Sequence, residues 1–246
     1  MQTLRGKTAL ITGAAKRLGA ALARALADAG AHVVIHCRNS RDAADKLANA
    51  IMDARGAASV IEADLADTAM ADSLVGRAIA LAGPLDILIN SASIFHEASF
   101  LEMEPAVIHE NMNVNAIAPM LVARRFAAQQ RPGAIINLLD TMVMDYDKKH
   151  VPYHLSKRVL HTLTRIMALE FAPDIRVNAI APGLILPPPG KDNTYLESLA
   201  HTNPLHKHGS AAAVTDAALY LLHADFVTGQ TLYVDGGRHL RGSMYE

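Results

Sequence analysis

The sequence predicts an α/β fold, a doubly wound parallel sheet of about seven strands with helices on both faces. Three observations predict it. Apolar runs alternate with helical patterns from one end of the chain to the other. The runs are continuously apolar rather than alternating in polarity, as a sheet buried on both faces requires. A chain of 246 residues that is 51% hydrophobic can bury one large core.

The elements follow in order. TALIT (8–12) is predicted as a strand, and LGAALARALADAG (18–30) as a helix closed by Gly30. HVVIH (32–36) is a strand, RDAADKLANAIMDARG (41–56) a helix and SVIEA (59–63) a strand. ADSLVGRAIALAG (71–83) is a helix, LDILIN (85–90) a strand, and 106–128 reads as helical. AIINLL (134–139) is a strand, 154–172 a helix and IRVNAI (175–180) a strand. AVTDAALYLLH (213–223) and TLYVD (231–235) close the pattern as a helix and a last strand. No repeat, linker or composition break interrupts this Rossmann-like order, so residues 1–246 are expected to form a single domain. Residues 184–209 are the exception. They hold four prolines and no clear period, and are expected to form a substrate loop or lid.

Composition excludes several classes. Net charge is −1, from 23 basic and 24 acidic residues, so no nucleic-acid partner is expected. The one cysteine, Cys37, permits no internal disulfide and fits a reducing compartment. MQTLRGKTALITG enters a strand without a signal segment, and no apolar run reaches the ~18 residues of a membrane span. A cytoplasmic protein without membrane contact is expected. His206 and His208 lie close together but lack the supporting spacing of metal ligands, so no metal site is expected.

The chemistry starts at TGAAKRLG (12–19), directly after the first strand. In a doubly wound sheet this turn aims backbone N–H groups at a pyrophosphate. Gly13 allows the tight turn, and Gly19 allows close packing of the helix. Where such loops usually carry a further glycine, this one carries Arg17, whose guanidinium is expected to reach cofactor phosphate. The second strand ends in HCRNS (36–40), without the acid that binds a ribose 2′-hydroxyl in NAD sites. Arg38, Asn39 and Ser40 offer a cation and donors that suit a 2′-phosphate, so NADPH/NADP+ is expected rather than NAD. Leu18 and His36 belong to the same expected cofactor contacts. Further on, YHLSK places Tyr153 and Lys157 at i and i+4 on one helix face. An ammonium there favours tyrosinate and fits a proton-transferring phenol.

TGAAKRLG, ADL (63–65), NSAS (90–93), NVNA (113–116), YHLSK, APG (181–183) and VDGG (234–237) fall in the order and spacing of the short-chain dehydrogenase/reductase family, which the chain resembles over nearly its whole length. The resemblance implies roles. Asp64 and Leu65 lie at the adenine; Asn90, Ser91 and Ala92 line the cofactor ribose. Asn115 holds a water leading to Lys157, which also holds the nicotinamide ribose. Pro182, Gly183 and Leu184 border the nicotinamide. Family members of this kind are usually homotetramers, with helices near 106–128 and 152–172 pairing between subunits.

One departure is informative. The family usually has a serine 13 residues before the tyrosine, where this chain has Asp140. A serine hydroxyl donates to a substrate carbonyl, whereas an ionised aspartate only accepts. It opposes developing negative charge and ionisation of Tyr153. A carboxylate suits a substrate with N–H groups, which points to reduction of C=N in a nitrogen heterocycle. With Asp140, the Arg-rich second-strand end and ASIF (92–95), the chain resembles pteridine reductases. DKKHVPYHLSK (147–157) and DGGRHLR (235–241) resemble bacterial dihydromonapterin reductases of that branch. This implies a pterin or folate substrate, with Phe95 stacking on the flat ring, Ser93 at its polar edge, and Arg17 and Leu184 facing the pocket. Met142 and Met144 are placed to flank it. Arg241 is expected to reach a neighbouring subunit's site. Two alternatives share the cofactor motifs: a reductase of 3-oxoacyl thioesters or small ketones, and a non-catalytic NADP-binding regulatory or scaffold protein.

Overall fold

A computed structural model describes residues 3–240. The described residues hold seven strands: β1 (Thr8–Ile11), β2 (His32–Cys37), β3 (Ala57–Glu62), β4 (Ile87–Asn90), β5 (Gly133–Leu138), β6 (Ile175–Pro182) and β7 (Thr231–Val234). All pair in parallel, in the order β3-β2-β1-β4-β5-β6-β7. The order reverses between β1 and β4, and ligands of such sheets bind in the crevice beyond that point.

Helices cover both faces: α1 (Arg17–Asp28), α2 (Arg41–Asp53), α3 (Thr68–Ala82), α4 (Pro105–Met112), α5 (Ala118–Ala127), α6 (Val151–Glu170), α7 (Asn193–Ser198) and α8 (Ala211–His223). Side chains alternate across β1. Ala9 and Ile11 enter the core under α1, α2 and α8, while Leu10 enters the core under α3, α5 and α6. In α1 the buried residues Gly19, Leu22, Ala23, Leu26 and Ala27 make one apolar stripe. Asp67 starts α3 by accepting the N–H groups of Ala69 and Met70.

The element order matches the expectation from the sequence, with two refinements. The predicted helix 106–128 is α4 and α5 joined without a break through a π-helical turn, Asn113–Ile117. Residues 184–209 are not featureless: Asp192 caps α7 through the Thr194 N–H, and a 3-10 turn follows at Ala200–Thr202. No helix among the described residues is long and apolar enough to cross a membrane. None of them form a group of three or more His, Cys, Asp or Glu placed to hold a metal. The expectation for Arg241 lies outside the described residues.

Candidate active site

The glycine loop is built by close approach. Gly13 has φ +64°, and a Cβ there would lie 2.7 Å from Ala92 Cα. A Cβ on Gly19 would lie 2.3 Å from Gly13 O. Both glycines therefore fit one compact corner in which the 12–19 loop, the start of α1 and the NSAS segment touch. Thr12 fixes the NSAS side, its hydroxyl oxygen accepting from Ser91 N (3.0 Å) and Ala92 N (3.1 Å). Arg17 keeps the left-handed backbone of the glycine it replaces, with φ +54°. Its guanidinium donates to Pro187 O at 2.8 Å and so ties the loop to the 184–209 segment.

His36 holds the loop from below. Its Nδ1 accepts from Gly13 N (3.0 Å), and its Nε2 lies 3.1 Å from Ala63 O. That arrangement requires a neutral imidazole with the proton on Nε2. Burial drives the pKa down from 6.5 to about 4, against the Ala63 carbonyl, which raises it. The sequence placed His36 among cofactor contacts. Its ring lines the cleft, but both nitrogens are committed to protein groups, so its polar part serves the loop.

Above the carboxyl ends of the strands lies a cleft of about 420 Å³, within the size range of small-molecule sites. It brings together Gly13, Arg17, Leu18, Gly19 and Arg38 at one end, and Asp64, Leu65, Ser91, Ala92 and Ser93 along the wall. Tyr153, Lys157 and Pro182 close the far end. Lys16, Ile94, Val114, Leu138 and Leu139 also line it and were not read from the sequence. Lys16 carried a signal in hindsight, since it is a second cation in the same loop. Asn39 and Ser40 stand outside, in an adjoining depression with Lys16, Arg41 and Lys46. Arg38 lies 3.9 Å from Asp64 in a half-exposed pair, which leaves it weakly held.

Some expected contacts lie beneath or beside the cleft. Asn90 is buried, donating to Asn137 Oδ1 at 2.8 Å. Gly183 packs against Asp235, where a Cβ would meet Asp235 Cβ at 2.7 Å. Leu184 lines a separate cavity with Ile185, Leu205 and Tyr233. Asn115 sits in the π-helical turn, a local widening that recurs at functional sites. Its Oδ1 accepts from Ile94 N (2.9 Å) and the Ser93 hydroxyl (3.1 Å). Its Nδ2 donates to Ile94 O (3.0 Å) and Ser156 Oγ (3.0 Å). The side chain expected to hold a water is thus engaged by protein atoms and locks residues 93–94 onto α6.

The reactive groups meet at the start of α6. Tyr153 is buried, and its hydroxyl donates to Asp140 Oδ2 at 3.1 Å. Asp140 Oδ1 accepts from Met142 N at 2.8 Å. Burial, and then the Asp140 charge, push the Tyr153 phenol well above its usual range. The phenol is thus raised, not lowered as the YxxxK spacing predicts, and Lys157 Nζ stands 5.7 Å from the Tyr153 ring centroid. Lys157 Nζ donates to Leu138 O at 2.7 Å, and burial brings its pKa from 10.5 to about 8, against the Asp140 charge. The next residue after Asp140, Thr141, donates its hydroxyl to buried Asp235, which also accepts from Gly237 N (2.9 Å) and His239 N (2.8 Å). The VDGG turn thereby anchors the backbone that carries Asp140.

A glycine-cornered cleft over a doubly wound sheet, with a buried Tyr–Lys pair at its far end, defines a nucleotide-binding α/β oxidoreductase. Residues 13–239 match a family model described as enoyl-(acyl carrier protein) reductase. The chain is 35% identical over 245 residues to L-xylulose reductase from Mesocricetus auratus, covering 95% of this chain and 97% of that one. FolM alternative dihydrofolate reductase 1 from Brucella canis, solved in complex with NADP, superposes with a TM-score of 0.91 at 32% identity, over 98% and 97% of the two chains. The angucycline C-6 ketoreductase LanV, solved with bound NADP, superposes with a TM-score of 0.90 at 29% identity, over 97% and 98%. The chain belongs to the short-chain dehydrogenase/reductase family.

Proposed function

We propose that the protein is an NADPH-dependent reductase of a pterin, converting a dihydropterin to the tetrahydro form, with an oxidised pterin or dihydrofolate as related substrates. The observation that carries this reading is the Tyr153–Asp140 hydrogen bond in place of a tyrosine–serine pair.

The cofactor fits the residues present. Gly13 and Gly19 let the loop pack tightly against Ala92 and on itself at the edge of the cleft, and Lys16 and Arg38 line the cleft beside the end of β2, where a 2′-phosphate needs cations. In this reading Gly13, Arg17, Leu18 and Gly19 face the pyrophosphate, and Arg38, Asn39 and Ser40 the 2′-phosphate. Asp64 and Leu65 lie at the adenine, Ser91 and Ala92 at the ribose, and Pro182 near the nicotinamide, with Gly183 packed against Asp235 behind it and Leu184 lining the neighbouring cavity. The structural neighbours solved with NADP support the same choice. NADPH, when bound, supplies the hydride.

The chain supplies the proton. Tyr153 is held as a neutral phenol, so it enters as a donor and passes its proton to the ring nitrogen beside the reduced carbon. Asp140 accepts from the N–H groups of a pterin edge, which a serine does less well. Lys157 compensates the charge left on Tyr153. Phe95 and Ser93 flank the ring. The 1–246 chain acts as one domain in a homotetramer.

A carbonyl-reductase reading draws on L-xylulose reductase, a relative at 35% identity. Asp140 works against it, because an accepting carboxylate beside the phenol repels a developing oxyanion. Following NADPH oxidation with dihydrobiopterin, dihydrofolate, acetoacetyl thioester and a small ketone separates the two. Asp140→Ser is expected to lower pterin turnover by at least about tenfold, the loss of one charge-assisted contact, with the NADPH KM unchanged. Equal pterin turnover in variant and wild type sinks this role for Asp140.

A further inference from the structure

Phe95 follows β4 in a run, residues 91–97, that forms no helix or strand, and it is 59% exposed. Its ring is nevertheless fixed from two sides. His150 stacks on one face, with centroids 4.1 Å apart and planes 21° apart. Tyr153 meets it edge-on at 4.6 Å and 82°. The two segments are also joined by backbone, Ala98 N donating to Lys149 O (2.7 Å) and Val151 N to Ala98 O (3.2 Å).

His150 is itself held. Its Nδ1 lies 2.7 Å from Asp147 Oδ2, which also lies 3.4 Å from His154 Nε2. Asp147 Oδ1 accepts from Lys149 N at 2.6 Å. The carboxylate thus fixes the imidazole just before α6 begins. With His150 stacked on one face, the Phe95 ring can offer a ligand only its other face, while Tyr153 lies against the same ring in a T-shaped arrangement.

We propose that His150, clamped by Asp147, is a specificity-determining residue: it backs Phe95 so that the ring presents a fixed flat surface beside Tyr153, selecting planar aromatic ligands over open-chain ones. This deepens the pterin reading and rests on it for the place where the ligand lies. An unbacked phenylalanine on an irregular segment can turn away, and a ligand must then bear the cost of ordering it.

Calorimetric titration of oxidised biopterin into protein saturated with NADP+ tests this without turnover. His150→Ala is expected to weaken biopterin binding about tenfold, the scale of a lost ring contact, while NADP+ affinity is unchanged. His150→Phe, which keeps the stack without the Asp147 bond, restores binding to within about twofold, and Asp147→Asn falls between. Biopterin affinity in His150→Ala equal to wild type overturns the proposal. So does a parallel loss of NADP+ and biopterin binding that His150→Phe does not repair, since that assigns His150 a purely structural role. Wild type that binds biopterin through His150 but oxidises no NADPH with dihydrobiopterin sinks the proposed function and leaves the wall standing. Wild type that binds no biopterin overturns both.

Discussion

At the scale of single residues, the most specific feature is a histidine kept neutral. His36 accepts from Gly13 N–H and gives its own proton to Ala63 O. The Gly13 bond needs the uncharged ring, since a protonated Nδ1 cannot accept, and burial lowers the pKa from 6.5 to about 4. The unfolded chain therefore binds a proton between pH 6.5 and 4 that the folded protein refuses. Stability from this residue is complete above the unfolded value and is lost as pH falls from 6.5 towards 4. The full span corresponds to about 3 kcal/mol. His36→Asn, which keeps an acceptor near the Gly13 N–H but does not titrate, is expected to lose less stability between pH 7 and pH 4.5, by about 2 kcal/mol. Urea unfolding midpoints at both pH values check it. Parallel losses in the two proteins would remove His36 as the titrating group. Asp140 belongs to the same scale, and its position was legible because 13 residues from a tyrosine is a local count. The histidine latch was not legible, because it joins residues 23 apart in sequence through tertiary approach.

At the scale of elements, the glycine loop and the 184–209 segment are coupled by one side chain. Arg17 adopts φ +54°, a left-handed conformation that costs a residue with a Cβ about 1–2 kcal/mol. Its bond to Pro187 O spans 170 residues. The sequence showed that a glycine was missing from the loop, and the fold shows the backbone still shaped for one. Arg17→Gly is expected to leave the fold as stable or slightly more so, since glycine accepts that φ without strain. It should nonetheless weaken NADPH binding several-fold and speed proteolytic cleavage within 184–209, because the tether is gone. Fluorescence titration of NADPH and timed proteolysis measure the two effects; no change in either would leave Arg17 without the bridging role. The π-helical turn in Asn113–Ile117 was invisible for a related reason. NVNA reads as ordinary helix, and the widening shows only in the fold, where Asn115 within the turn bonds Ile94 and Ser156.

At the scale of the whole molecule, α6 has two working faces. One carries Tyr153 and Lys157 into the cleft. The other exposes Leu155 (43%), Ile166 (53%) and Leu169 (83%), which fall within about 60° of one another around the helix. The alternation of strands and helices made the sheet legible from end to end, because a doubly covered parallel sheet requires apolar runs at every strand. The stripe on α6 was legible only as an apolar face, since periodicity does not say whether the core or another chain covers it. Exposure shows that the core does not cover the stripe, and in the homotetramer proposed above another subunit would. An isologous pairing would set α6 of one subunit against α6 of the next and brace the helix that holds the reactive pair. Ile166→Glu combined with Leu169→Glu places like charges on both sides of such a contact. The variant is expected to keep its helical circular dichroism, to elute with a smaller mass by light scattering, and to lose turnover in step with dissociation. An unchanged mass would move the subunit contact away from this face of α6.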